Sequence, residues 1–281
     1  MASISEHEAE QVRRANAGGR TPVVFVHGLW LLAGSWRRWC ELFERAGYAP
    51  VGCDWPGDPP DVARARAQPR AFAGKTVATV ADHLDELLGR LERKPALVGH
   101  SFGGLLAQML AGQGLAEVTV AIAPAPFRGV LALPLSALRA ASPVLANPLN
   151  RTRAVMLTFE QFRFAFANAV GEQEARELYE AFAVPAPGAP LFQAASANLN
   201  PWTQVKVDTR NPARGPLAIF SGERDNTVPW AIANGAFKRQ LRNREAVTEI
   251  AQMPERGHAL TIDSGWREVA ERALEFVGRF T

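Results

Sequence analysis

The sequence predicts an α/β fold with a mainly parallel sheet, and three observations support this prediction. Short apolar runs alternate with amphipathic helical patterns four times in the first half of the chain. The runs are apolar throughout and rich in β-branched residues, which is typical of strands buried on both faces of a parallel sheet. The alternation stops after residue 124 and resumes near residue 217, so the segment between is predicted to be an insertion.

The first half of the chain contains four predicted strands, at residues 22–26, 48–53, 96–98 and 118–122. A helical pattern follows each of the first three strands, at residues 35–46, 76–91 and 105–111. Residues 1–20 are polar and are predicted to form a short helix or a loose N-terminal arm.

The second half begins with a segment, residues 125–214, that is rich in phenylalanine and whose helical patterns are interrupted by prolines. The alternation then resumes with predicted strands at 217–220 and 247–250 and predicted helices at 230–241 and 266–280. The predicted organisation is an N-terminal arm (1–20), an α/β core (21–124 and 215–281) and a helical insertion (125–214).

The composition excludes several classes of function. The chain of 281 residues has a formal net charge of +3, and its basic residues are scattered, so we expect no nucleic-acid partner. Two cysteines do not make a secreted disulfide framework, and no signal peptide or apolar run of membrane-spanning length is visible. We therefore expect a cytoplasmic protein that acts on a small molecule. The sequence carries no signal of oligomeric state.

A possible nucleophile lies in the pentapeptide Gly99-His100-Ser101-Phe102-Gly103, between a predicted strand and a predicted helix. A tight strand-to-helix turn exposes a serine hydroxyl and leaves no room for side chains two residues before and two after it. The same turn directs the Phe102 amide to where an oxyanion would form. The pentapeptide alone is equally compatible with a glycine-rich turn that carries an exposed serine.

A serine nucleophile needs a base and an acid that orients the base. Of the five histidines, His258 lies in a loop between the last strand and the last helix, at the sheet edge where Ser101 is predicted. Asp225 follows the strand ending at residue 220 and is the predicted acid. Glu223 is the local alternative, and either carboxylate has the alternative role of capping its turn. His100 is predicted to point away from Ser101.

The order Ser101, Asp225, His258 resembles that of the α/β-hydrolase superfamily, and the resemblance extends over essentially the full chain. The matching segments are 24–28, 99–103, 222–229 and 257–258. The resemblance implies a three-layer α/β-hydrolase fold whose helical lid (125–214) is inserted before the acid-bearing strand. It also implies that His27-Gly28 begins an oxyanion loop, with the amide of Leu29, or alternatively Trp30, as a second donor beside Phe102. Because only about 20 residues precede the first strand, we expect six strands rather than the eight of the family.

The expected activity is that of a carboxylesterase-like serine hydrolase, which cleaves an ester-type bond of a small hydrophobic substrate through an acyl-enzyme on Ser101. Serine at this position argues against dehalogenase and epoxide hydrolase activity. A cofactor-free perhydrolase, a C–C bond hydrolase and a non-catalytic small-molecule-binding protein of the same fold remain alternatives. No metal-ligand spacing is visible, and no cofactor is expected. Candidate substrate-binding residues are Trp30, Trp202 and Phe162, although such aromatic residues also form the internal core of a helical insertion.

Overall fold

The computed structural model describes residues 4–281, which contain a six-stranded parallel sheet and a separate two-stranded antiparallel sheet. The larger sheet has the strand order β2-β1-β3-β4-β7-β8, and every neighbouring pair in it is parallel. The prediction of a mainly parallel sheet with six strands is confirmed. The strands are β1 (Pro22–Val26), β2 (Ala49–Cys53), β3 (Ala96–His100), β4 (Val118–Ile122), β5 (Ala154–Val155), β6 (Ala186–Pro187), β7 (Leu217–Gly222) and β8 (Thr248–Met253).

Helices cover both faces of the large sheet and give the predicted three-layer α/β-hydrolase architecture. On one face α4 packs against α5, and on the other α2 contacts α11. The inner strands β1, β3, β4 and β7 are buried at every residue, which is why they consist mainly of apolar residues. The helices are α1 (Glu6–Ala17), α2 (Arg37–Arg45), α3 (Val62–Ala67), α4 (Val77–Leu88), α5 (Phe102–Gly112), α6 (Leu135–Leu145), α7 (Phe159–Ala165), α8 (Glu172–Phe182), α9 (Ala189–Ser196), α10 (Trp230–Gln240) and α11 (Trp266–Gly278).

Several predicted boundaries differ from the structure, and in two of these cases the element is longer than predicted at a position that matters for the site. Helix α5 begins at Phe102 rather than near residue 105, directly after the residue that forms the turn. Strand β8 continues to Met253 because its last residues remain in register with Ser221 and Gly222 of β7. Both extensions lie at the carboxyl edge of the sheet, where the candidate site residues were predicted.

The predicted N-terminal arm is a well-defined helix from residue 6 onward, and its first three residues lie outside the described residues. Ser5 and Glu8 form a reciprocal capping box at the start of α1. The helix packs against β2, and its buried residues include Val12 and Ala15. The alternative of a loose arm is therefore wrong for residues 6–17.

Helix α1 also protects the exposed edge of the sheet. Strand β2 is an edge strand, and Pro50 within it has no N–H to offer to another strand. The N–H of Gly52 donates to Gln11 Oε1 at 2.8 Å, and Gln11 Nε2 donates to the Gly52 carbonyl at 3.2 Å. The side-chain amide thus makes the two hydrogen bonds that the backbone of a further strand would make. A helix takes the place of the strands that the family resemblance would put on this side.

The insertion is helical, as expected, and contains α6 to α9 together with the short pair β5 and β6. It lies between β4 and β7 in the chain, so both of its ends leave from adjacent strands in the middle of the sheet. Among residues 4–281, none of the helices combines the length and hydropathy that a membrane crossing requires.

Replacing Gln11 with alanine tests the protection of the sheet edge. The substitution leaves a half-buried N–H and C=O of Gly52 without partners, and we expect the free energy of unfolding to fall by about 1–3 kcal/mol. The control is Gln173→Ala, which removes an exposed glutamine on α8 and should change the stability by less than about 0.5 kcal/mol. Urea denaturation of both variants measures the difference. Equal stabilities would show that the contact does not support the edge.

Candidate active site

Ser101 occupies a strained turn between β3 and α5. Its backbone angles are φ 55° and ψ −119°, a combination that is rare for residues other than glycine. Three backbone hydrogen bonds hold it there. The Ser101 N–H donates to the Ile122 carbonyl at 2.9 Å, and its own carbonyl accepts from Leu105 and Ala125. The turn therefore displays the side chain at the carboxyl end of β3 without freedom to relax.

The glycines around the turn are required by close contacts between backbone segments. A Cβ on Gly99 would lie 2.2 Å from the Gly103 oxygen, and one on Gly103 would lie 2.0 Å from the Val26 oxygen. Gly28 approaches from the neighbouring strand, where a Cβ would lie 2.7 Å from Ser101 Cβ. The structure thus supplies the steric reason for the predicted turn at Gly99 and Gly103. It also shows that Gly28, predicted only as the start of a loop, packs against Ser101.

His258 and Asp225 meet at the carboxyl edge of the sheet, and both side chains are fully buried. Nδ1 of His258 lies 2.7 Å from Asp225 Oδ2. The other carboxylate oxygen accepts the N–H groups of Thr227 and Val228, both at 2.7 Å. An ionised Asp225 then requires the proton of a neutral His258 to be on Nδ1, which leaves Nε2 as an acceptor. Within residues 4–281, that buried Nε2 has no hydrogen-bond partner.

Glu223, the alternative acid, is turned away from this pair. Its side chain is exposed and accepts a hydrogen bond from the backbone of Glu255 at 2.8 Å. The two loops that carry Asp225 and His258 pack closely at Gly222, where a Cβ would lie 2.6 Å from the Arg256 oxygen. The structure therefore brings Asp225 to His258 and gives Glu223 the role of holding a turn.

His100 supports the His258 backbone. Its Nε2 donates to the His258 carbonyl at 2.9 Å, and the two ring centroids are 4.7 Å apart. Burial, together with the charge that His258 can carry, holds the pKa of His100 well below its ordinary value. The Nε2 of His100 is therefore engaged with the backbone of His258 rather than with Ser101.

The side chain of His27 fixes the orientation of the first peptide of the loop that follows β1. Its Nδ1 lies 2.8 Å from the carbonyl oxygen of Gly28 and donates to it. The carbonyl of Gly28 and the N–H of Leu29 belong to the same peptide unit and point in opposite directions. Fixing that oxygen toward His27 turns the Leu29 N–H away from the imidazole. Gly28 itself adjoins Ser101 and the Phe102 amide.

His27 is itself in contact with buried groups from the loop after β2. Its Nε2 lies 3.3 Å from Asp58 Oδ2, an ion-pair distance without hydrogen-bond geometry, and Asp58 also forms a buried ion pair with Lys75. The indole of Trp55 stacks on the His27 ring and donates to the His27 carbonyl at 3.2 Å. These contacts come from a loop more than 25 residues away, so no spacing in the sequence indicates them.

The insertion covers His258 through Phe166, a residue that the sequence analysis did not single out. The Phe166 ring centroid lies 4.8 Å from that of His258, 6.0 Å from Trp30 and 6.5 Å from His100. The Phe166 carbonyl accepts from Ala259, directly after His258, at 2.9 Å. The many phenylalanines of the segment indicated an apolar cover, but nothing in their spacing shows which ring reaches the site.

The three candidate substrate-binding residues have different surroundings. Trp30 is buried at the site, with a φ of 64°, and is tied to the insertion because its Nε1 donates to the Val155 carbonyl at 3.0 Å. Phe162 is fully buried and stacks on Phe166 at 5.0 Å, so it lies one layer behind the ring that faces His258. Trp202 is 86% exposed in a surface turn and is not part of the buried wall.

Access to Ser101 is closed in this structure. Its side chain and that of His258 are buried, and the cavity bordered by Gly28, Leu29 and Trp30 has a volume of only about 10 Å³. That volume suffices for one water molecule at most. A much larger groove of about 960 Å³ runs between α1 and α2, and neither Ser101 nor His258 lines it. A substrate therefore reaches Ser101 only when the covering segment moves.

Comparison with known proteins agrees with this geometry. The sequence model of the Alpha/beta hydrolase family matches residues 23–272. No curated protein sequence matches the chain.

Similar solved structures include a monoacylglycerol lipase from Paleococcus ferrophilus, with 19% identity, a TM-score of 0.62 and coverage of 92% of this chain and 95% of the lipase. A pyrethroid hydrolase from Sphingobium faniae has 16% identity, a TM-score of 0.64 and coverage of 92% and 97%. A bromoperoxidase from Bacillus anthracis has 21% identity, a TM-score of 0.65 and coverage of 93% of each chain.

A methyl group at Gly103 tests the close packing of the turn. In Gly103→Ala the new Cβ would lie 2.0 Å from a backbone oxygen that cannot move independently, so we expect a loss of stability of at least about 3 kcal/mol. The control is Gly34→Ala, where a Cβ has no neighbour within 4 Å and φ is not positive. Denaturation curves of the two variants provide the measurement. A Gly103→Ala protein as stable as the control would contradict the described packing.

Proposed function

Because the chain belongs to the Alpha/beta hydrolase family, we propose that it is a serine hydrolase that cleaves an ester-type bond of a small hydrophobic substrate. The observation that carries this proposal is the fully buried His258–Asp225 pair, joined at 2.7 Å, whose Nε2 has no hydrogen-bond partner and whose backbone contacts His100, the neighbour of Ser101 in the chain. An imidazole whose Nδ1 is held by a buried carboxylate and whose Nε2 is left as an acceptor is the arrangement that a general base requires.

In the proposed reaction Ser101 Oγ attacks the ester carbonyl carbon while His258 Nε2 accepts the hydroxyl proton. Asp225 keeps the imidazole in the required tautomer and stabilises the imidazolium. The tetrahedral intermediate collapses when His258 returns the proton to the leaving alcohol. A water molecule then attacks the acyl-enzyme with His258 again as base, which releases the acid and restores Ser101.

The negative oxygen of the intermediate would be stabilised by the amides of Phe102 and Leu29. Phe102 is the first residue of α5, where unpaired N–H groups and the helix dipole favour an anion. Leu29 contributes because His27 fixes the peptide that carries its N–H. Each such donor is worth about 3–4 kcal/mol of the activation barrier.

The covering insertion acts as a lid in this proposal, and its rings define the preferred substrate. Phe166 and Trp30 surround His258 with apolar surface, which favours a hydrophobic acyl or aryl group over a charged one. Opening of the segment admits the substrate, and closure excludes water other than the one needed for hydrolysis.

Labelling with a fluorophosphonate tests the assignment of the nucleophile. We expect the wild-type protein to be labelled and to hydrolyse short aryl esters, and Ser101→Ala to lose both, with kcat reduced by roughly 10⁴-fold or more. The control is Ser142→Ala, which removes an exposed hydroxyl in α6 and should react normally. An unlabelled and inert wild-type protein would refute the proposal. Labelling without ester hydrolysis would show that Ser101 is reactive but that the substrate is another acyl compound or a compound with a cleavable C–C bond.

Asp58→Asn tests whether the contacts of His27 position the oxyanion donor. Loss of the carboxylate charge weakens the hold on His27, so we expect kcat on an aryl ester to fall about tenfold while KM changes little. The control is Asp61→Asn, which changes an exposed carboxylate at the start of α3. Because Asp58 also pairs with Lys75, circular dichroism should confirm that the variant is folded. An unchanged kcat would contradict the positioning role.

A further inference from the structure

Three side chains with metal-binding atoms meet in the interior, away from Ser101. Glu8 comes from α1, Cys53 is the last residue of β2, and His83 comes from α4. All three are buried, and one ligand atom from each lies within 4.8 Å of the others. We refer to these residues as the Glu8–Cys53–His83 cluster. None of them has a role in the proposed hydrolysis.

The distances in the cluster are close to those of a coordination sphere. Glu8 Oε1 lies 2.9 Å from His83 Nε2 and 3.3 Å from Cys53 Sγ. Bond lengths of zinc to oxygen, nitrogen and sulfur place neighbouring tetrahedral ligands about 3.4–3.6 Å apart. The Glu8–His83 and Glu8–Cys53 atom pairs would therefore need to separate by only about 0.3–0.5 Å to admit an ion. All three ligand atoms lie within 4.8 Å of one another, which is close enough for them to share one ion.

The chemistry of the donors selects the class of ion. A thiolate, an imidazole and a carboxylate together suit zinc and similar borderline divalent ions, whereas magnesium and calcium prefer oxygen ligands alone. The second carboxylate oxygen of Glu8 is held by the Ser5 N–H at 2.8 Å, so the ligand cannot rotate freely. Such outer contacts are the usual means of orienting a metal ligand.

The large groove between α1 and α2 lies next to the cluster, although none of the three candidate ligands lines it. Its lining includes Ser5, Gln11, Gly52 and Asp54, which are neighbours in the chain or in space of the three candidate ligands. The groove has a volume of about 960 Å³ and is open to solvent at one side.

We propose that Glu8, Cys53 and His83 bind one zinc-type divalent cation, which fastens α1 to the sheet and to α4. On binding, the Cys53 S–H bond breaks, a sulfur–metal bond forms and the proton leaves to solvent. His83 ligates as a neutral imidazole through the lone pair of Nε2, so its one ring hydrogen is on Nδ1. If the ring carries a second proton before binding, that proton also leaves to solvent. The oxidation state of the ion does not change. The site is structural, because it ties together three elements and adjoins no residue of the proposed reaction.

The test uses tag-free protein that has been treated with a chelator and then dialysed. Titration with Co²⁺ should give a thiolate-to-cobalt absorption band that saturates at one ion per chain, and Zn²⁺ should displace it. At a zinc concentration about a hundred times the dissociation constant, the Tm should rise by about 5–10 °C. Absence of a saturating band at one equivalent would overturn the proposal.

The two cysteines provide a matched comparison. Cys40 is half-buried in α2 and outside the cluster, so Cys40→Ser should keep both the cobalt band and the rise in Tm. Cys53→Ser and His83→Gln should lose both. If the Cys53 variant fails to fold, the result with Cys40→Ser decides alone, because Cys53 is then the only thiol left. A band that disappears in Cys40→Ser would refute the assignment.

Discussion

The strained backbone at Ser101 is the constraint on which the rest of the site depends. A serine with φ of 55° is stable only where its surroundings hold it, and here β4 and the start of α5 supply the hydrogen bonds. The turn is also so close to its neighbours that three glycines are needed, at positions 28, 99 and 103. This contact between backbone segments brings the loop after β1 next to the serine. The geometry of one residue thus fixes the positions of both candidate oxyanion donors.

The insertion and the loops of the site form one connected structure. Phe164, Ala165 and Phe166 use successive backbone carbonyls to accept from Asn226, Thr227 and Ala259, which flank the acid and the base. On the other side, the carbonyl of Trp30 accepts from Val184, and the Trp30 indole donates to Val155. The insertion is therefore hydrogen-bonded to both sides of the site. A movement of the insertion that uncovers Ser101 must either break these hydrogen bonds or move the site loops with it. In the proposed reaction, opening of the insertion is therefore coupled to the positions of the candidate catalytic groups.

The sequence was informative where local backbone geometry limits the choice of residues. The turn around Ser101 demands glycines at fixed spacing, and parallel strands bring Asp225 and His258 to one edge, so fold class and candidate triad followed from patterns alone. Contacts between distant segments left no such pattern. Glu8 and His83 are separated by 75 residues, and Phe166 is one of many phenylalanines in the insertion. Trp202 was selected for its size, but the turn that carries it faces solvent.

The N-terminal helix α1 protects the edge of the sheet although it buries little apolar surface. Its buried apolar residues are few, and polar contacts from Gln11 and Glu8 supply much of its attachment to β2 and α4. If these contacts were lost together, β2 would become a free edge strand with an unpaired N–H and carbonyl at Gly52, which is the arrangement that promotes association between sheets. A cation in the Glu8–Cys53–His83 cluster would hold the helix by bonds that do not depend on apolar area. Among residues 4–281, no strand of the sheet lies beyond β2, and the polar side chains of α1 occupy that side. The edge of this sheet is therefore protected by specific polar contacts rather than by additional strands.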